Sequence, residues 1–185
     1  AMQLGRESIS SSVVAILELV KNAYDADAEN IWISFYDLGT VNPGLVIEDD
    51  GNGMAQQQLI DNWLVIGTDN KVEIRKSRGK KRVLTGEKGL GRLGLDRLSR
   101  ATRVQSFRED EAFGIEIEID WERYESASQR LETIKHTLYR IPKIIQDPKT
   151  EQFVTKTKGT RLVLIELKDR WSREDLQHLQ LELAL

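Results

Sequence analysis

The chain has 185 residues, 39% of them hydrophobic, 6% aromatic and 31% charged, the make-up of a soluble globular protein with one domain-sized core. A net charge of −3 gives no reason to expect nucleic acid as a bulk partner, and the absence of cysteine excludes a disulfide framework and thiolate–zinc sites. Apolar runs such as 13–17 fall far short of the ~20 residues that cross a bilayer, and no basic, cleavable leader opens the chain, so a cytoplasmic protein without membrane contact is expected.

Residues Arg6 to Ala28 read as one helix. Ile9, Val13, Leu17, Val20 and Tyr24 are its expected core stripe, beside a small or polar stripe of Ser11, Ala15, Glu18, Asn22 and Asp25. Ile31 to Asp37 alternates, with Ile31, Ile33 and Phe35 on one face, and reads as a strand. After the Asn42-Pro43-Gly44 turn, Leu45 to Glu48 forms a second strand that ends at Asp49 and the Gly51/Gly53 turn. Gln56 to Ile66 reads as a helix with Leu59, Trp63 and Ile66 inward. From Gly67 to Thr85 the apolar period dissolves. Lys71, Arg75, Lys76, Arg78, Lys80, Lys81 and Arg82 crowd this stretch, which predicts a loop. The glycines from Gly86 to Gly94 follow, then a helix through Leu98. Thr102 to Phe107 and Phe113 to Asp120 are two strands, Glu122 to Tyr139 a charged helix, and 143–151 a loop. Thr160 to Leu167 alternates as a last strand. Ser172 to Leu185 reads as a helix with Ser172 as its N-cap. The whole is expected to be one domain over residues 1–185, and the closing helix reads as cut off inside a longer protein.

Within the first helix, Glu18, Asn22 and Asp25 stand at i, i+4 and i+7, which sets carboxylate, carboxamide and carboxylate along one stripe. The apolar residues around it would bury it, and burying charge is costly unless chemistry needs it there. Glu18 suits a general base acting on water. The Asn22 carboxamide offers the hard oxygen that Mg²⁺ takes alongside phosphates and water. At Asp49-Asp-Gly51-Asn-Gly53-Met54 a strand ends in an aspartate able to accept from an exocyclic amine, and the glycines admit a flat ring without Cβ interference. Alone, that motif is equally an ordinary strand-to-helix turn.

Gly89-Leu-Gly91-Arg-Leu-Gly94 matches the G-x-G-x-x-G dinucleotide fingerprint, but a basic loop stands where that motif needs a strand opening directly into it. The valine and lysine of a protein kinase are missing, as is the Gly-Lys-Ser/Thr of a Walker loop. What survives is the shared physics of free N–H groups at a helix N-terminus, an anion site.

In this order, Glu18 to Ala26, Asp49 to Met54, Ile66-Gly67-Thr68, Gly86 to Gly94 and Gly159-Thr160 resemble the motifs of the GHKL ATPases, the superfamily of gyrase, heat-shock chaperones, histidine kinases and MutL. The Glu-Leu-Val-Lys-Asn-Ala-Tyr-Asp-Ala block is most similar to the MutL, chaperone and MORC-type branches. The resemblance implies the Bergerat fold, a two-layer α/β sandwich whose mixed sheet carries helices on one face, with a flexible ATP lid at about 67–94. It implies ATP and Mg²⁺ as ligands. Glu18 would polarise the attacking water, Asn22 would coordinate Mg²⁺, and Asp25 would order the pocket. Asp49 would take the adenine amino group, with Gly51, Gly53 and Met54 lining the base and Thr160 closing that network. Gly89, Gly91 and Gly94 would wrap the phosphates, Lys71 and Lys88 would contact them, and Thr68 and Leu90 would belong to the nucleotide site.

The implied function is ATP binding with slow Mg²⁺-dependent hydrolysis, driving lid closure and a conformational or dimerisation switch. A histidine kinase catalytic domain and a nucleotide-sensing, nucleic-acid-binding module remain as alternatives. Productive members of the superfamily usually carry a following transducer domain that reaches the γ-phosphate. Only one short helix follows Leu167 here, so slow turnover of the isolated chain is expected.

Overall fold

The computed structural model describes residues 2–63, 95–123, 136–147 and 150–184. The chain runs α1 (Met2–Asp25), β1 (Ile31–Tyr36), β2 (Gly44–Asp49), α2 (Gln56–Trp63), a helical turn at 95–98, β3 (Ser99–Phe107), β4 (Gly114–Asp120), β5 (Leu138–Ile141), β6 (Ile144–Gln146), β7 (Phe153–Thr155), β8 (Gly159–Leu167) and α3 (Arg173–Leu183). Six strands form one sheet in the order β1-β2-β8-β3-β4-β5, and β6 and β7 pair separately.

The sheet was expected to be mixed, yet every described pairing in it is antiparallel. Inserting β8 between β2 and β3 satisfies both neighbours without a parallel crossover. The two-layer α/β arrangement itself holds. Leu45 and Ile47 of β2, Leu162 and Leu164 of β8, Val104 of β3 and Ile115, Ile117 and Ile119 of β4 alternate onto one face. Val13, Ile16 and Leu19 of α1, Leu59 and Trp63 of α2 and Leu179 of α3 belong to the same buried cluster. At roughly 1.5–3 kcal/mol for each fully buried aliphatic side chain, this layer contact is the main source of stability.

The inward face of α1 is turned from the expected stripe. Ser12, Val13, Ile16, Leu19 and Ala23 are buried, Leu17 and Val20 are only half-buried, and Tyr24 is 44% exposed. Alanines at 15 and 23 let the helix lie close to its neighbours, a position the Tyr24 ring is too large to take. Asn22 is exposed and Glu18 half-buried, so the polar stripe runs along the rim of the layer instead of inside it.

Two further expectations change. Of the charged helix predicted for Glu122 to Tyr139, residues 122–123 are helical, but Leu138–Ile141 is strand β5, with Leu138 opposite Ile117 and Tyr139 opposite Glu116. The predicted loop at 143–151 contains β6, and Phe153–Thr155 pairs with it. The N-cap expected at Ser172 is present as a capping box: Ser172 Oγ accepts from Asp175 N at 3.2 Å while Asp175 Oδ2 accepts from Ser172 N at 2.7 Å. No helix of the described residues is long and apolar enough to cross a membrane.

Candidate functional site

The site is built where β2 ends beside the start of β8. Because those strands run antiparallel, with Glu48 opposite Arg161, Asp49 at the end of β2 reaches the first residues of β8. Asp49 Oδ1 accepts from Gly51 N at 2.8 Å and from Thr160 N at 3.1 Å. Both bonds fall on one oxygen, so among the described residues no hydrogen bond reaches Oδ2. Burial pushes this carboxyl up to about 6, against the two backbone bonds that favour its ionised form, and Asp50 adds to the rise. The strand ends pack closely enough to require glycine. Gly159 has φ +117°, and a Cβ there would collide with the Asp49 carbonyl. Gly53 has φ +64°, and a Cβ there would strike the Phe107 carbonyl.

The turn after Asp49 is braced on three sides. Asp50 Oδ1 accepts from Glu29 N at 2.7 Å and from Asn30 N at 2.9 Å, and its Oδ2 accepts from Asn30 Nδ2 at 2.9 Å. Desolvation of the Asp50 carboxyl is outweighed by these bonds, which hold it below its ordinary range. Ser106 Oγ of β3 accepts from Met54 N at 2.6 Å and donates to Met54 O at 3.1 Å, fixing the backbone of the residue expected to line the base. On the third side, Asn52 N donates to Ala26 O at 2.9 Å and Asn52 Nδ2 donates to Asp27 Oδ2 at 3.0 Å, which ties the turn to the end of α1.

That helix end has the geometry of a Schellman cap. Ala28 N donates to Ala23 O at 3.1 Å and Asp27 N to Tyr24 O at 3.0 Å, with Asp27 in the left-handed region at φ 64°. In the last turns of α1, Glu18 pairs with Lys21 at 2.6 Å, Asn22 is exposed and Asp25 half-buried. The structure therefore gathers Asp49, Gly51, Gly53, Met54 and Thr160 at one place. Glu18, Asn22 and Asp25 stay on the last turns of α1, joined to that place through the end of the helix, where Asn22 O accepts from Ala26 N at 3.0 Å and Ala26 O accepts from Asn52 N at 2.9 Å. Thr68, Lys71, Lys88, Gly89, Leu90, Gly91 and Gly94 lie outside the described residues. Sequence reasoning missed Asp27, Asp50, Asn52 and Ser106. Asn52 lies inside a quoted motif and Asp27 directly after another, but their pairing is a long-range contact that spacing does not reveal.

Met54 and Ser106, with Phe113, Ile115 and Arg140, line a cavity of about 220 Å³, and Asn52, Gly53, Arg108 and Lys158 border another of about 490 Å³. Open volume thus lies against the turn that follows Asp49.

The family described as histidine kinase-, DNA gyrase B-, and HSP90-like ATPase matches residues 9–160, from within α1 to the start of β8. The chain belongs to this ATPase family. The matched span includes the helix that carries Glu18 and Asn22 and the Asp49–Thr160 contact. The chain is also similar to the ATPase morc-1 of Caenorhabditis elegans, 37% identical over 78 residues, which is 42% of this chain and 9% of that protein. The likeness agrees with the MORC-type branch and spans less than a tenth of the relative's length.

Proposed function

We propose that the chain binds ATP at the Asp49 turn and hydrolyses it slowly with Mg²⁺, using closure of the 67–94 segment as a conformational or dimerisation switch. The observation that carries this reading is Asp49: one carboxylate oxygen is held by two backbone N–H groups, which orients the other as an acceptor for an exocyclic amine. A partner that donates there fits adenine and not guanine, whose corresponding group is a carbonyl. Gly53, in a conformation that excludes a side chain, lets a flat ring approach, and Met54 supplies apolar surface.

The donor set fits Mg²⁺ in the manner of a phosphate-bound cation. Asn22 offers one exposed carboxamide oxygen, and the remaining ligands would come from phosphate and water. Bound there, Mg²⁺ would neutralise charge on the phosphates. Glu18, one helical turn before Asn22, orients and deprotonates the attacking water. Its exposed pairing with Lys21 is worth little and is readily exchanged for a water contact. Asp25 orders the polar groups between them. Thr68, Lys71, Lys88 and the Gly89 to Gly94 loop grip the phosphates, the γ-phosphate most of all, so that hydrolysis releases the segment.

The experiment is phosphate release by Glu18→Ala. Removing the base lowers turnover by roughly 10²- to 10⁴-fold, while calorimetry shows Mg·ATP affinity close to the parent's. Undiminished phosphate release removes Glu18 from the mechanism. Labelled phosphate retained on protein, with none set free, points instead to a kinase.

A further inference from the structure

The groups that bind a base and those that act on its phosphates sit on different elements, a strand end and a helix, and must be held at one separation. The structure contains a short path between them. Asp49 Oδ1 accepts from Gly51 N at 2.8 Å, the next residue's N–H donates to Ala26 O at 2.9 Å, and Ala26 N donates to Asn22 O at 3.0 Å. Ala26 O is one of the carbonyls a helix leaves unpaired at its C-terminus, and Asn52 N satisfies it. Gly51 permits the approach, because a Cβ there would stand 2.7 Å from Ala26 O and 2.9 Å from Asp49 Oδ1.

Main-chain bonds alone would leave this contact free to pivot. The side-chain bond from Asn52 Nδ2 to Asp27 Oδ2, 3.0 Å long, adds a second point of attachment on the adjacent residue. Asp27 is only 5% exposed, and its left-handed backbone turns its side chain out of the helical course. A carboxylate is an unexpected occupant of that place. Glycine is the usual residue at a left-handed helix cap, and burying a charged side chain is costly. The departure from glycine calls for a reason, and the bond to Asn52 supplies one.

We infer that Asp27 and Asn52 are positioning residues for the phosphoryl chemistry, a strut that sets the metal- and water-binding turns of α1 at a fixed distance from the base-binding Asp49. The inference rests on the ATP reading above. Neither residue touches the nucleotide in this account. Each acts through the element it holds, and misplacement by about 1 Å costs on the order of 10²-fold in rate.

The test separates the base from the phosphates by using adenosine, which engages only the Asp49 end, and Mg·ADP, which engages both. Asp27→Gly keeps the left-handed cap and its backbone bonds but removes the strut. Asn52→Ala removes it from the other side. For both variants calorimetry is expected to give adenosine affinity within about twofold of the parent, Mg·ADP affinity lower by roughly tenfold, and ATP turnover lower by about 10²-fold. The double variant should be no worse than either single one, since the two side chains act as one unit. Asp27→Asn, which tolerates the same backbone and keeps an acceptor oxygen, should recover most of the loss.

Equal losses of adenosine and Mg·ADP binding, accompanied by a lower melting temperature, would show a merely structural bond and overturn the inference. So would variants that match the parent with both ligands. A parent chain that binds neither ligand overturns the ATP reading, and this inference falls with it. A parent that binds both, with unchanged variants, overturns the inference alone.

Discussion

Asp49 is a residue whose usefulness and cost have one origin. Burial raises its carboxyl to about 6, above the ~3.9 of an unfolded chain. Between about pH 4 and 6 the folded protein therefore holds a proton that the unfolded chain has released, and stability falls as pH rises through that window. Above it the ligand-free domain carries a destabilisation on the order of 2–3 kcal/mol from this one group. Asp49→Asn removes the charge while its carbonyl can still accept from Gly51 and Thr160. Thermal melts without nucleotide should show the variant more stable than the parent at pH 7, with the gap closing toward pH 4. Adenine-nucleotide affinity should fall by about 10²- to 10³-fold, because a charge-assisted bond becomes neutral and the new amide lacks an acceptor. A variant that is both less stable and fully able to bind would contradict this assignment.

The strands carry a second, less obvious demand. On the sheet face away from the helices, Glu48 of β2, Arg161 of β8, Gln105 of β3 and Glu116 of β4 stand in one cross-strand row. Arg161 Nη1 donates to Gln105 Oε1 at 2.9 Å, Gln105 Nε2 donates to Glu116 Oε2 at 2.6 Å, and Arg161 Nε lies 3.2 Å from Glu48 Oε2. Arg161 is only 4% exposed, with the Gln146 carbonyl of β6 3.5 Å from its Nη2. Arg161→Ala leaves the Gln105 amide oxygen without its donor and Glu48 with Lys156 as its remaining ion-pair partner, and should cost about 1–3 kcal/mol in denaturant unfolding, whereas Arg161→Met, which fills the volume, should cost less. Equal effects would show that packing, not charge, governs the row. Such rows also mark the limit of sequence reading. Alternation located β1, β2, β3, β4 and β8 because one face of each is apolar. Leu138–Ile141 escaped because a charged run led into it and only pairing with β4 made it a strand. The short β6 and β7 are supported by each other and by the face they cover, which no local pattern announces.

For the molecule as a whole, motif order foretold the family, and the fold puts the separated motif residues Asp49 and Thr160 in direct contact. The braces were not foretold, because Asp27–Asn52, Asp50–Asn30 and Ser106–Met54 each depend on how layers meet. The burial expected for the polar stripe did not follow. Asn22 and Glu18 sit at the rim of the layer, where a phosphate-bound cation and water have access. In the proposed function the domain is an adenine-specific clamp with its base site at the ends of the interior strands β2 and β8 and its hydrolytic site on α1. The most direct test is calorimetric titration of the chain with ATP and with GTP, each with Mg²⁺. ATP should bind with one-to-one stoichiometry and GTP at least about 10²-fold more weakly, since its carbonyl meets the Asp49 carboxylate where adenine presents a donor. Equal binding of the two, or a preference for GTP, would contradict the assignment of Asp49 and the reading built on it.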